Sequence, residues 1–316
     1  MDMFFAMLSI VALFAALLIP GYILGKTRAI TDGAALSFSN VLVYIAMPFL
    51  VFSKFMEIDL TKVGLTEILL SCLLPVVLVF FLLGVCGFVF RRDKARRRAE
   101  VFCSVFPNCG FMGIPLAAAM WPDRPEIVIY ISVFNMVSTF LLLTVGVSIL
   151  AGDKSVISLK KTLASPIFFA IALGAVMSLL DVGTGFEAVH TYAVMLAQIT
   201  TPLAMICLGY ELSKLRLLRT WINGDVYLVA FLKLILSPLF ITGVLALLKY
   251  AFRLEMDFSV MQAMLVATAV STAASAPSLA QKHGADSEHA ATVTLANTLL
   301  SVLTLPLAYV LLEAIF

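Results

Sequence analysis

Charged residues in this chain gather between long apolar stretches, a pattern that suits lipid as the surrounding solvent. A bilayer core is crossed by about 20 apolar residues of helix. Cutting at charged and Gly/Pro-rich breaks leaves ten such stretches: 3–24, 33–53, 64–90, 99–120, 126–151, 161–181, 189–211, 224–250, 259–281 and 288–315. Hydrocarbon offers no water to backbone N–H and C=O groups, so each stretch must pair its own backbone as a helix. The expected fold class is an all-α membrane protein with ten transmembrane helices. Composition agrees: 62% of residues are hydrophobic and 13% charged, about half the charged share of a soluble domain. Met-Asp-Met-Phe-Phe at the start carries no Lys or Arg, so residues 3–24 read as a retained span rather than a signal peptide.

Lys and Arg in alternate loops set the expected orientation. Lys26, Arg28, the run from Arg91 to Arg98, Lys154, Lys160, Lys161, Lys214, Arg216, Arg219 and Lys282 give fifteen on one side; Lys54, Lys62, Arg124, Lys249 and Arg253 give five on the other. The richer side is cytoplasmic by the positive-inside rule, which places both termini outside. The run at 91–98 reads as the topology anchor between spans three and four, or as a patch for anionic lipid.

Within span four, residues 104–116 read Ser-Val-Phe-Pro-Asn-Cys-Gly-Phe-Met-Gly-Ile-Pro-Leu. Pro107 and Pro115 lack a backbone N–H, and Gly110 and Gly113 add conformational freedom, so the helix is expected to unwind near its middle. Unwound backbone at membrane depth is tolerated where protein or a water-filled cavity satisfies it, which makes the break a candidate substrate site. A plain proline kink is the alternative.

A shift of 162 residues places Pro115 on Pro277 and Asn135 on Asn297; a shift of 163 places Pro75 on Pro238, and one of 154 places Pro48 on Pro202. The chain therefore reads as two five-span halves, 1–151 and 161–316, with a second break at Ser-Thr-Ala-Ala-Ser-Ala-Pro, 271–277. An odd number of spans per half forces the halves to enter the membrane in opposite directions, the inverted repeat found in secondary transporters. Two broken helices meeting at mid-depth bring bare N–H groups and partial positive charge to a cavity, which favours a carboxylate.

Asn108, between Pro107 and Cys109, is expected to donate to a substrate oxygen or to cap a half-helix. Gly110 and Gly113 would let substrate approach the main chain, and Cys109 is the one cysteine worth probing. Ser271, Thr272 and Ser275 offer hydroxyls to the unwound backbone or to a ligand. Lys233 is the only basic residue deep in a span: it would neutralise an anion, exchange a proton, or pair with Glu67 or Asp225. Asn135 and Asn297 are expected to brace the crossover together with Pro107, Pro115 and Pro277, while Pro48 and Pro202 bend the facing helices. Cys72, Cys86, Cys103, Cys109 and Cys207 show no metal-ligand spacing, and no nucleophile, phosphate-loop or zinc-protease motif is present. No cofactor, metal, nucleic-acid partner or enzymatic activity is expected.

The motifs Pro-Asn-Cys-Gly-Phe-Met-Gly-Ile-Pro (107–115), Pro277 with His-Gly-Ala-Asp (283–286), and Asn-Thr-Leu-Leu-Ser-Val-Leu-Thr-Leu-Pro (297–306) resemble the auxin efflux carrier family, including its bacterial malonate and malate permease-like members. The resemblance implies a fold like that of bile acid symporters and sodium/proton antiporters, with crossing broken helices four and nine. It further implies a scaffold from 3–53 and 161–211 and a moving transport domain from 64–151 and 224–315. Where plant members carry an Asp and a Lys one turn apart in span three, this chain has Glu67 and Ser71.

The expected function is secondary transport of small organic anions, mono- or dicarboxylates such as malonate or malate, by an elevator-like movement in the cell inner membrane. A sodium-coupled symporter of bile acid-like solutes is the alternative within the same architecture, and a non-transporting receptor the alternative outside it. A homodimer through the scaffold is the assembly to test.

Overall fold

The computed structural model describes residues 2–57, 63–90, 94–153, 166–179, 187–214 and 224–316. Lys62, Arg91, Arg92, Lys154, Lys160, Lys161, Arg216 and Arg219 of the charge count lie outside the described residues, as do positions 161–165 and 180–181 of the sixth expected span. The described chain is helical. Its helices are α1 (Asp2–Lys26), α2 (Asp32–Met56), α3 (Leu65–Val89), α5 (Pro125–Ala151), α6 (Pro166–Leu179), α7 (Glu187–Ser213), α8 (Gly224–Ala251) and α10 (Ser287–Ile315). Between them lie two interrupted helices: α4a (Lys94–Val105) with α4b (Cys109–Met120), and α9a (Phe258–Ala269) with α9b (Ala276–Lys282). No strand occurs among the described residues, only one isolated antiparallel bridge, Pro107 to Thr272.

Six of these helices, α2, α3, α5, α7, α8 and α10, are long and apolar enough to cross a membrane; Ala16–Lys26, Cys109–Met120 and Phe258–Ala269 are shorter apolar helices. α3 shows what the surroundings demand of such a helix. Leu65, Leu69, Leu73, Val77 and Phe80 form an exposed apolar stripe, while Leu70, Leu74, Leu78 and Leu82 are buried on the other side. A helix apolar all round belongs where both protein and lipid are its neighbours.

Helix ends follow local chemistry. The Thr31 hydroxyl caps α2 by accepting from the Ala34 N–H, Asp257 caps α9a through the Ser259 N–H, and Asp286 caps α10 through the His289 N–H. Gly152, in left-handed backbone at φ 70°, closes α5. The prolines inside α2, α4b and α8 do not break them. Pro48, Pro115 and Pro238 each follow a π-helical turn, Leu42–Ala46, Cys109–Gly113 and Leu232–Leu236. The wider turn relieves the clash between the proline ring and the carbonyl four residues back. The interruption of α4 is accordingly narrower than the sequence suggested: it is confined to Phe106–Asn108, and Pro115 sits within continuous helix.

α1 packs along α7, and α2 along α6 and α7; α3 packs on α5, α5 on α9a, and α10 on α4a, α8, α9a and α9b. Between these groups, α1 also touches α10 and α2 touches α5. The α1–α7 seam depends on glycine. A Cβ on Gly21 would stand 2.1 Å from the Ile206 carbonyl oxygen, and one on Gly209 would stand 2.0 Å from that of Leu18. Gly21 and Gly25 form the small-xxx-small spacing that lets membrane helices approach backbone to backbone.

Candidate functional site

The two interruptions meet. The Asn108 N–H donates to the Ser271 carbonyl at 2.8 Å and the Ala273 N–H to the Phe106 carbonyl at 2.9 Å, closing the short bridge around Pro107 and Thr272. Each break also frees a carbonyl in the last turn of its first half-helix, and a side chain supplies the missing donor. Pro107, having no N–H, cannot bond the carbonyl of Cys103 four residues back; the Thr272 hydroxyl donates to that carbonyl instead, at 2.8 Å. Asn297 Nδ2 then donates to the same hydroxyl at 2.7 Å, so α10 braces the crossing point. On the other arm, Lys233 Nζ reaches across from α8 to the Thr268 carbonyl at 3.1 Å, near the end of α9a.

Lys233 is wholly buried, and no carboxylate among the described residues pairs with it. The two partners considered for it are engaged elsewhere: Glu67 accepts from the Asp257 N–H at 3.0 Å, and Asp225 pairs with Arg96 at 2.8 Å. Ser71 bonds back to the Glu67 carbonyl one turn before it. The contacts of Glu67 with Asp257 and of Asp225 with Arg96 are set by long-range packing and carry no signature in the local sequence.

Beside the crossing lies a cavity of about 440 Å³, between α2, the start of α4b, the second half of α5 and the start of α9b. Its polar lining includes Asn108, Asn135, Thr139 and Ser275; Val43, Met47, Phe111, Met136 and Phe140 are among its apolar walls. Asn108 is 3% exposed and its Nδ2 has no hydrogen-bond partner. A buried amide donor left in this state costs about 1 to 3 kcal/mol, which a ligand oxygen would recover. The first N–H groups of a helix lack intrahelical acceptors, and those of Cys109, Gly110 and Phe111 take no backbone acceptor among the described residues. Gly110 abuts Met47 and Asn135, so a side chain there would crowd the cavity, while Gly113 abuts Ile131 and Cys109 away from it.

The expected residues therefore divide. Asn108, Gly110, Asn135 and Ser275 line the cavity with Pro107, while Cys109, Gly113, Ser271, Thr272, Lys233, Asn297, Pro115 and Pro277 do not. Cys109 points its thiol at the Ile131 carbonyl, 3.8 Å away, and the Ser271 hydroxyl lies 3.7 Å from Met112 Sδ. Asn135 and Asn297 hold equivalent sequence positions but meet different partners. The residue facing Asn297 is Thr272; the residue 162 earlier, beside Asn135, is Gly110. Lacking that hydroxyl, the Asn135 amide has no hydrogen bond among the described residues and faces the cavity. Missing from the sequence reading were the apolar walls contributed by Val43, Met136 and Phe140, since nothing distinguishes a cavity-facing Phe or Met from a lipid-facing one.

Residues 5–309 match the family described as membrane transport protein. An uncharacterized transporter of Methanothermobacter thermautotrophicus is 26% identical over 299 residues, spanning 92% of this chain and 93% of that protein. An uncharacterized transporter of Methanocaldococcus jannaschii is 27% identical over 220 residues, spanning 65% of this chain and 69% of that protein. A multi-pass helical chain with paired interrupted helices, matched over nearly its whole length, belongs to the membrane transport protein family, the auxin efflux carrier family.

Proposed function

We propose that the protein is a secondary active transporter of small organic anions, and that Asn108 and the first N–H groups of α4b bind the carboxylate. The observation that carries this reading is the unpartnered, buried Nδ2 of Asn108 at the cavity wall. Neutral donors at a half-helix N-terminus suit an anion without the cost of burying a lone cation beside it. Asn135 and Ser275 supply further polar contacts from the same wall. Among the described residues the lining offers no cation for a second carboxylate, which favours the monocarboxylate end of the class, an acid with an apolar body seated against Met47, Phe111 and Phe140.

The same proposal includes the architecture. Residues 1–151 and 161–316 are two five-span repeats of opposite orientation, giving ten spans with both termini on the non-cytoplasmic side of the cell inner membrane. α1, α2, α6 and α7 form the scaffold, α3–α5 and α8–α10 the moving domain, and the substrate rides at their seam. The packing preferences of these helices and the position of the cavity between α2 and the crossing support that division. Lys233 then serves as the brace of α9a rather than as a ligand, and a homodimer would form through the scaffold.

Counterflow of labelled phenylacetate and labelled malonate in proteoliposomes tests the reading. Wild type exchanges the labelled acid, phenylacetate more tightly than malonate, and Asn108→Ala weakens its apparent affinity about 10- to 100-fold, the worth of one or two hydrogen bonds to a charge. A wild-type protein that exchanges neither acid, or an Asn108→Ala protein with unchanged affinity, contradicts it.

A further inference from the structure

Midway along α4a, and beside it at the start of α10, ionisable side chains are buried that the anion site does not use. Glu100 is wholly buried and His289 is 6% exposed. Glu100 Oε1 lies 3.3 Å from His289 Nε2, and it accepts from Arg96 Nε at 3.3 Å, while Arg96 gives its shorter bond, 2.8 Å, to Asp225. Yet neither Glu100 Oε2 nor His289 Nε2 has a hydrogen-bond partner. Two such atoms buried side by side are costly, and one proton relieves them: on Nε2 it sets a positive charge at ion-pair distance, 3.3 Å, from the carboxylate, and on the carboxyl it removes a buried charge.

The other half of the chain isolates what is special here. The 162-residue shift that places Pro115 on Pro277 puts Gln262 at the position of Glu100. Gln262 is also buried, with Nε2 donating to the Tyr309 hydroxyl at 2.6 Å. An amide, which cannot titrate, fills the equivalent position, so packing alone does not require an acid at Glu100.

The pair is also mechanically connected to the crossing. Glu100 precedes Asn108 by eight residues across the end of α4a and its break, and His289 precedes Asn297 by eight on α10, about 12 Å of continuous helix in α10. The two helices pack along each other. They are tied at their base by the Asp286 N–H to the Ala95 carbonyl and by Arg98 to the Gly284 carbonyl. They are tied at the crossing through Asn297, Thr272 and the Cys103 carbonyl.

We propose that Glu100 and His289 form a proton-binding site, and that one proton held there accompanies each organic anion across the membrane. This rests on the carrier reading above. A proton from the water on the entry side joins the pair as the anion seats at the crossing; both leave on the exit side, and only the O–H or N–H bond to that proton forms and breaks. A positive charge gained ~12 Å from the bound carboxylate, at an effective dielectric of about 20, raises the anion's affinity about tenfold. By linkage the anion raises the proton's affinity by the same factor. The groups around the pair are Arg96 of α4a, which bonds Glu100 and is itself paired with Asp225 of α8, Cys103 of α4a and Cys86 of α3, which feel the Glu100 charge, and Asp286, which caps the His289 N–H.

The test has a transport arm and a substrate-free arm. In proteoliposomes loaded for uptake of labelled phenylacetate and, in parallel, malonate, an acid-outside gradient stimulates wild-type uptake about tenfold, and in Glu100→Gln the ratio of uptake with and without the gradient falls to one. A ratio in Glu100→Gln equal to wild type overturns the proposal. Should Glu100→Gln carry neither acid, His289→Gln gives the same ratio test. The substrate-free arm uses pH-jump infrared difference spectra of purified protein: wild type shows a protonating carboxyl or imidazole signal that Glu100→Gln and His289→Gln both lose. Spectra that are the same in all three overturn the assignment even if wild type carries neither acid, an outcome that would by itself defeat only the carrier reading.

Discussion

Replacing Thr272 by valine removes one hydroxyl and almost no volume, and the crossing predicts a cost out of proportion to that change. The hydroxyl donates to the Cys103 carbonyl at 2.8 Å and accepts from Asn297 Nδ2 at 2.7 Å, and all three residues are wholly buried. The carbonyl cannot recover a helical partner, because the residue four positions on is Pro107. Valine thus strands one acceptor and one donor, at about 1 to 3 kcal/mol each, giving a loss of roughly 2 to 6 kcal/mol. Asn297→Leu alone strands nothing new, because Thr272 keeps its bond to Cys103; its cost is about 1 kcal/mol. In the double variant only the Cys103 carbonyl is left bare, so the pair costs less than the sum of the singles by about 1 to 3 kcal/mol. Thermal unfolding of the four proteins in one detergent measures the cycle. Strict additivity, or a Thr272→Val protein as stable as wild type, would refute the account of how the break in α4 is satisfied.

Four other outcomes follow. Lys233→Met lowers the unfolding temperature by leaving the Thr268 carbonyl bare but keeps the transport KM within about threefold, since the side chain lies outside the cavity; a KM raised tenfold or more would return Lys233 to the substrate site. Gly21→Leu drives a side chain into the Ile206 carbonyl of α7, at a cost of about 3 kcal/mol or more, read as loss of monodisperse protein on gel filtration. Burial works to raise the Asp257 carboxyl, but its bonds from Ser259 and the Arg124 guanidinium outweigh this and hold it below the ordinary carboxylate range. A depressed carboxyl contributes stability above its unfolded value of about 3.9 and loses it as the pH falls through the folded value; wild type therefore loses unfolding temperature below about pH 4, and Asp257→Asn, which lacks the contribution throughout, loses less. Uptake runs equally in sodium and choline buffers, because no carboxylate among the described residues lines the cavity to hold the ion.

Much of the architecture was legible because lipid leaves a chain few options. The positions of α2, α3, α5, α7, α8 and α10 follow from apolar length, and an interruption of α4 from the prolines and glycines between Pro107 and Pro115. What the sequence could not convey were the partners across the fold. Lys233 was visible as a deep cation, but its acceptor is a backbone carbonyl thirty-five residues away, and carbonyls have no sequence signature. Pro115 looked like a second breaker, yet a π turn absorbs it, because the glycines before it let the helix widen as readily as unwind. Asn135 and Asn297 looked alike until the residue facing each was known: Thr272 occupies one, and Gly110 leaves the other open to the cavity. Glu100 and His289 were hidden for a simpler reason: each lies at a span end, where a charge ordinarily meets water, and burial there comes from α4a and α10 packing on each other.

A structure determined with phenylacetate bound tests the central claim most directly. It is predicted to place the carboxylate within hydrogen-bond distance of Asn108 Nδ2 and the first N–H groups of α4b, with the two interruptions still bridged at Pro107 and Thr272. An uninterrupted fourth or ninth helix, or an anion seated away from their crossing, would contradict it.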